Sequence, residues 1–161
     1  MAEGGGREID SLNNYYDDLA IGDRITSRGR TITETDLVVF SGLSGDYTQL
    51  HTDEEHAKAG PFGGRIAHGC LTLSIATGLE FQLFGTGEVR VLAFYGLDRV
   101  RFVKPVFIGD TIHVVVEVIA LVDKDETRGV VTFHEEIRNQ RDETVAVLDK
   151  RTLNKKRAYD A

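Results

Sequence analysis

The chain has 161 residues, 41% of them hydrophobic and 28% charged, the size and composition of one ordinary globular domain. A formal net charge of −7 without a basic stripe argues against general nucleic-acid binding, though not against a phosphate-bearing ligand held in a local basic pocket. A single cysteine, Cys70, excludes an internal disulfide and a four-thiolate zinc centre. No apolar run suits a membrane span or a secretory leader, so a reduced cytoplasmic protein is expected, with no membrane partner.

In chain order, residues 1–14 are polar and carry Gly4-Gly5-Gly6, which predicts a flexible tail. Tyr15-Tyr16 and Leu19 are expected to dock it onto a body spanning residues 15–154. Arg24 to Ile32 reads as a polar, exposed strand after the Gly22-Asp23 turn. Thr33 is a helix N-cap with Asp36 three residues on, a shorter form of the capping box. The helix from Glu34 stops in Gly42-Leu43-Ser44-Gly45, which presents Asp46. A short acidic helix from Thr52 to Lys58 ends at Gly60-Pro61. Ile66 to Leu83 is the longest helical candidate: Leu71, Ile75, Leu79 and Leu83 form one face, and Ala67, Cys70, Leu73 and Ala76 much of another. A helix apolar nearly all round predicts burial, Cys70 included.

Beyond Gly85-Thr86-Gly87 the pattern becomes extended. Ile112, Val114, Val116 and Val118 alternate with their neighbours as in a half-buried strand, and strands through Val131–Ile137 and Val145–Leu153 continue the meander. Phe81, Phe84 and Phe94 read as core, with acyl-pocket lining the alternative, and Lys155-Lys156-Arg157 as a solvated basic tail over residues 155–161, with contact to coenzyme A phosphates the alternative. The whole is an α+β fold, one long central helix wrapped by a curved antiparallel sheet.

The stretch from Gly45 to Gly69 carries the chemistry. Asp46 and His51 share one short connection, and His68-Gly69 opens the long helix. A carboxylate and an imidazole aimed at one point beside a helix N-terminus can activate water and stabilise an oxyanion together. Adding water across a conjugated double bond requires such a base, a proton carrier and an oxyanion donor. Asp46 can take the proton, His51 can hold the same water near neutral pH, and the Gly69 N–H can meet the developing oxyanion.

Ser44-Gly45-Asp46, Leu50-His51, Ala57, Gly63-Gly64, Ile66 and His68-Gly69 closely resemble the MaoC-like family of (R)-specific enoyl-CoA hydratases and acyl-CoA dehydratases. Arg101-Phe102-Val103-Lys104-Pro105-Val106 and Gly109-Asp110-Thr111 are similar to the strand and turn that follow the helix there. The resemblance implies a single hotdog domain, a homodimer and a thioester substrate carried on coenzyme A or an acyl carrier protein. It implies hydration of a 2-enoyl-CoA to the (R)-3-hydroxyacyl-CoA, Asp46, His51 and Gly69 as catalytic residues, and no cofactor. Tyr47, Thr48, His68 and Thr77 are expected at the substrate, Thr77 where the family has a small hydroxyl residue. Thr48-Gln49 stands where the family commonly has Asn-Pro, a departure that bears on substrate preference.

No pair among His56, His113 and His134 has metal-ligand spacing, and no metal site is expected. Two other functions fit a hotdog fold. An acyl-CoA thioesterase would place its acid on the buried helix, where Glu80 is the one candidate. A non-catalytic acyl-CoA binding module would need neither Asp46 nor His51.

Overall fold

The computed structural model describes residues 6–161, so the expectation for residues 1–5 of the tail lies outside the described chain. Two short strands, β1 (Arg24–Thr26) and β2 (Arg30–Thr31), precede three helices, α1 (Glu34–Ser44), α2 (Gln49–Thr52) and α3 (Glu54–Ala59). The central helix α4 (Gly69–Phe81) follows, and then four long strands: β3 (Val91–Phe102), β4 (Thr111–Asp123), β5 (Arg128–Arg138) and β6 (Thr144–Lys155). The sheet order is β1-β4-β5-β6-β3, antiparallel between all neighbours, with β2 also on β4. β4, β5 and β6 are the expected hairpin meander. Ile112, Val114, Val116 and Val118 are all within 1% of complete burial, so the period-2 pattern marks the face that α4 covers.

The capping box at Thr33 forms. Its hydroxyl accepts from the Asp36 N–H, and the Asp36 carboxylate accepts from the Thr33 N–H at 2.8 Å. Gly45 closes α1 in the left-handed region at φ 75°, a conformation costly for any residue with a Cβ, and this turn sets the direction of Asp46.

Six expectations are corrected. The segment from Arg7 to Asn14 is not loose: Leu12 is 2% exposed and its N–H donates to the Leu83 carbonyl at 3.0 Å, while Arg7 pairs with buried Asp23. The basic C-terminus is not a solvated tail, because Lys155 is buried between Glu88 and Asp160, Lys156 pairs with Asp123, and Arg157 with Asp18. The segment Arg24–Ile32 is two strands broken at Ser27, whose Oγ accepts the Val114 N–H, and Ile25 and Ile32 point into the core. The long helix starts at Gly69 rather than Ile66, since Ile66 forms a bridge to Phe107 instead.

Fifth, α4 is covered on one side only. Leu71, Ile75 and Leu79 are buried, but Cys70, Ser74, Thr77, Gly78 and Phe81 face outward. Phe81 and Phe94 are 65% and 57% exposed, so neither is core, whereas Phe84 packs against it.

Candidate active site

The site is assembled from the α1–α2 connection and the lead-in to α4. Asp46 leaves the Gly45 cap with its Oδ1 accepting from both the Thr48 hydroxyl at 2.6 Å and the Thr48 N–H at 3.1 Å. These donors, the hydroxyl first, hold the Asp46 carboxyl below the usual carboxylate range and keep it ionised at neutral pH. His51 sits on α2, and its Nδ1 lies 2.7 Å from the Ile66 carbonyl. A carbonyl only accepts, so Nδ1 carries the hydrogen and Nε2 presents a lone pair.

His68 caps α4 and is 3% exposed. Its Nε2 donates to the Asp46 backbone carbonyl at 3.1 Å and lies 3.5 Å from the Ser41 Oγ. Its ring stacks on that of His51, centroids 3.8 Å apart, with Phe40 on another side at 5.0 Å. His68 therefore ties the Asp46 loop to the start of α4 and fixes the His51 ring plane.

One side-chain ligand atom each of Asp46, His51 and His68 lies within 4.8 Å of the others. The two rings are stacked, 28° from parallel, and the His68 Nε2 hydrogen is already given to the Asp46 carbonyl. That arrangement suits proton handling better than the convergent donors a cation needs.

Gly69 is the first residue of α4, where backbone N–H groups lack helical partners. A Cβ there would come within 2.8 Å of the Phe102 ring, so a larger residue would force that half-exposed ring aside. Gly69 and His51 line one cavity of about 260 Å³ with Phe62, Ile66, Thr72 and Phe102. Tyr47 is 65% exposed and shares a second cavity with His51, of about 240 Å³, beside Ser41 and Arg65. His51 thus stands between two openings, and Asp46, itself exposed, lines neither of them.

The fold brings Asp46, Thr48, His51, His68 and Gly69 together. Thr77 is not with them: it lies two turns down α4, where its hydroxyl donates to the Ser74 carbonyl at 2.8 Å. Sequence reading overlooked Ser41, the Ile66 carbonyl and Phe102. The first two act through contacts across the chain, and only the apolar residue in the Arg101–Pro105 string gave any signal. Glu80 is committed elsewhere, buried and ion-paired with Lys150.

One long helix laid on a curved antiparallel sheet defines a hotdog fold. The chain belongs to the MaoC-like dehydratase family: the family model described as MaoC like domain matches residues 19–140. It is 37% identical to an (R)-specific enoyl-CoA hydratase of Rhodospirillum rubrum over 114 residues, 70% of this chain and 75% of that protein. It is 39% identical over 106 residues to the MaoC protein of Klebsiella aerogenes, a match covering 66% of this chain but only 31% of that protein. Among solved structures, a protein described as a monoamine oxidase regulatory protein from Archaeoglobus fulgidus superposes with TM-score 0.84 at 42% identity, over 94% of this chain and 97% of that one. An (R)-hydratase from Pseudomonas aeruginosa superposes with TM-score 0.73 at 26% identity, over 89% of this chain and 87% of that one. No helix among the described residues is long and apolar enough to cross a membrane.

Proposed function

We propose that the protein is a hydro-lyase that reversibly adds water to a 2-enoyl thioester, giving the (R)-3-hydroxyacyl product, with coenzyme A or an acyl carrier protein as the carrier. The single observation that carries this reading is the placement of the Asp46 carboxylate and the His51 ring within 4.8 Å, beside the helix start at Gly69. In the hydration direction, Asp46 takes a proton from a water whose other hydrogen is held by His51 Nε2, and the water oxygen bonds to C3. The C2–C3 π electrons move toward the thioester, and the Gly69 N–H holds its oxygen as an enolate forms. The proton taken by Asp46 then returns to C2. One water is consumed and no other reactant is needed. The (R) outcome is supported by the names of the Rhodospirillum and Pseudomonas proteins.

The protein is read as a homodimer. β3 ends the sheet with an unpaired edge, and its Phe94, Tyr95 and Phe102, with Val103 just beyond, are each more than half exposed. A second copy seated there would cover the outward stripe of α4 and the exposed Asp46. Mixing purified protein with crotonyl-CoA and following loss of the conjugated absorbance tests the reaction, and turnover undiminished in Asp46→Asn would reject the mechanism. The thioesterase reading draws no support from Glu80, whose carboxylate is occupied by Lys150 away from the His51 cavity.

A further inference from the structure

The Glu80, Lys150 and Glu135 side chains form a buried charged cluster that the proposed reaction does not use. Lys150 Nζ pairs with Glu80 on α4 and, at 2.6 Å, with Glu135 on β5, and all three residues are at most 5% exposed. Burial raises the Glu135 carboxyl above the ordinary carboxylate range and lowers the Lys150 ammonium, and their mutual pairing opposes both shifts. Glu80 keeps one oxygen, Oε1, buried without a hydrogen-bond partner. A buried acceptor left unpaired is costly, so such a group invites a donor.

The cluster faces a small, partly open space of about 10 Å³, room for roughly one water. Thr77 of α4, Leu97 of β3 and Leu148 of β6 wall it. The same three elements wall the cavity beside His51, through Gly69 and Thr72, Phe102, and Val145. Both spaces therefore lie along one seam between α4 and the paired strands β3 and β6, though they share no lining residue. Gly69 and Thr77 are eight residues apart on the helix, about 12 Å along its axis. An acyl chain whose thioester oxygen meets the Gly69 N–H would run down this seam toward the charges.

We infer that Glu80, Lys150 and Glu135 are the polar floor of the acyl-binding seam, so that the site takes acyl chains that stop short of the floor or end in a hydroxyl, and rejects longer chains ending in a methyl. The inference rests on the hydro-lyase reading for the position of the thioester. A methyl pressed against the floor leaves the Glu80 oxygen unpaired and separates it further from water, whereas a terminal hydroxyl donates to it. Thr77, expected at the substrate, takes its place here as a wall of the far end.

Dissociation constants of the wild-type protein for saturated acyl-CoAs, from butyryl to dodecanoyl, decide the matter without relying on turnover. Affinity should fall about tenfold or more between the short and the long methyl-ended chains, and ω-hydroxydecanoyl-CoA should bind about tenfold tighter than decanoyl-CoA. Affinity that is flat or rises through decanoyl, or equal binding of the two decanoyl ligands, would overturn the proposal. Size alone cannot mimic the hydroxyl preference. Replacing the cluster as a unit, Glu80→Leu with Lys150→Met and Glu135→Leu, should abolish that preference and admit decanoyl-CoA. A folded variant that keeps it would also overturn the proposal, and if the variant does not fold the wild-type series still decides. A protein that binds butyryl-CoA with the expected length profile yet hydrates no enoyl-CoA would reject the reaction and leave the floor standing.

Discussion

At the scale of the residue, the candidate site depends on where protons sit. The Ile66 carbonyl fixes the hydrogen of His51 on Nδ1, and Thr48 supplies the donors that keep Asp46 charged. Asp46→Asn removes the base and keeps the shape, so hydration should fall by about 10²–10⁴ with the circular dichroism spectrum unchanged. Thr48→Val removes the strongest of the donors that favour the ionised carboxylate, which raises the Asp46 pKa toward the ordinary range. The acid limb of a kcat/KM profile should accordingly move to higher pH, since Asp46 must be ionised to act, while the plateau near neutrality is retained. Gly69→Ala drives a Cβ against the Phe102 ring. It should cost about 1–3 kcal/mol of stability, read as a lower Tm, and lower turnover more than that loss alone explains.

At the scale of the element, α1 matters for how it begins and ends. Its capping box fixes the start at Thr33, and the left-handed Gly45 fixes the exit that carries Asp46 to His51. Arg65, in the lead-in to α4, holds α1 and α3 together through Glu34 at 2.6 Å and Glu54 at 2.8 Å. Thr33→Ala should lower stability by about 0.5–2 kcal/mol in urea melts. Arg65→Ala should change stability by no more than about 1 kcal/mol, because its partners are half-exposed, yet raise KM by loosening the segment between the two cavities that flank His51.

At the scale of the whole molecule, a single chain leaves its site open. Asp46 is exposed, one side of α4 faces outward, and the β3 edge shows aromatic side chains without strand partners. The proposed dimer removes all three features at once. Light scattering should give twice the chain mass at micromolar concentration. Phe94→Lys together with Tyr95→Lys should shift the equilibrium toward monomer and reduce hydration in parallel, losing about 1.5–3 kcal/mol for each aromatic no longer buried. Retained dimer mass in that variant would place the interface elsewhere.

The sequence by itself determined what depends on near neighbours. The Thr33 cap, the Gly45 turn, the alternation through β4, the apolar α4 and the Asp46–His51–Gly69 string all declare themselves within a few residues, because helix and strand periods and turn chemistry are local. Tertiary structure alone decided which side of α4 would stay uncovered, and so left Cys70 and Phe81 outside. It also decided that Leu12 would plug the core beside Leu83, and that Glu80, Glu135 and Lys150 from three separate elements would share one buried point. The stacking of His68 on His51 belongs with these. Such pairings join positions far apart in the chain, and their energies exist only after the sheet has curled around the helix and removed the water between them.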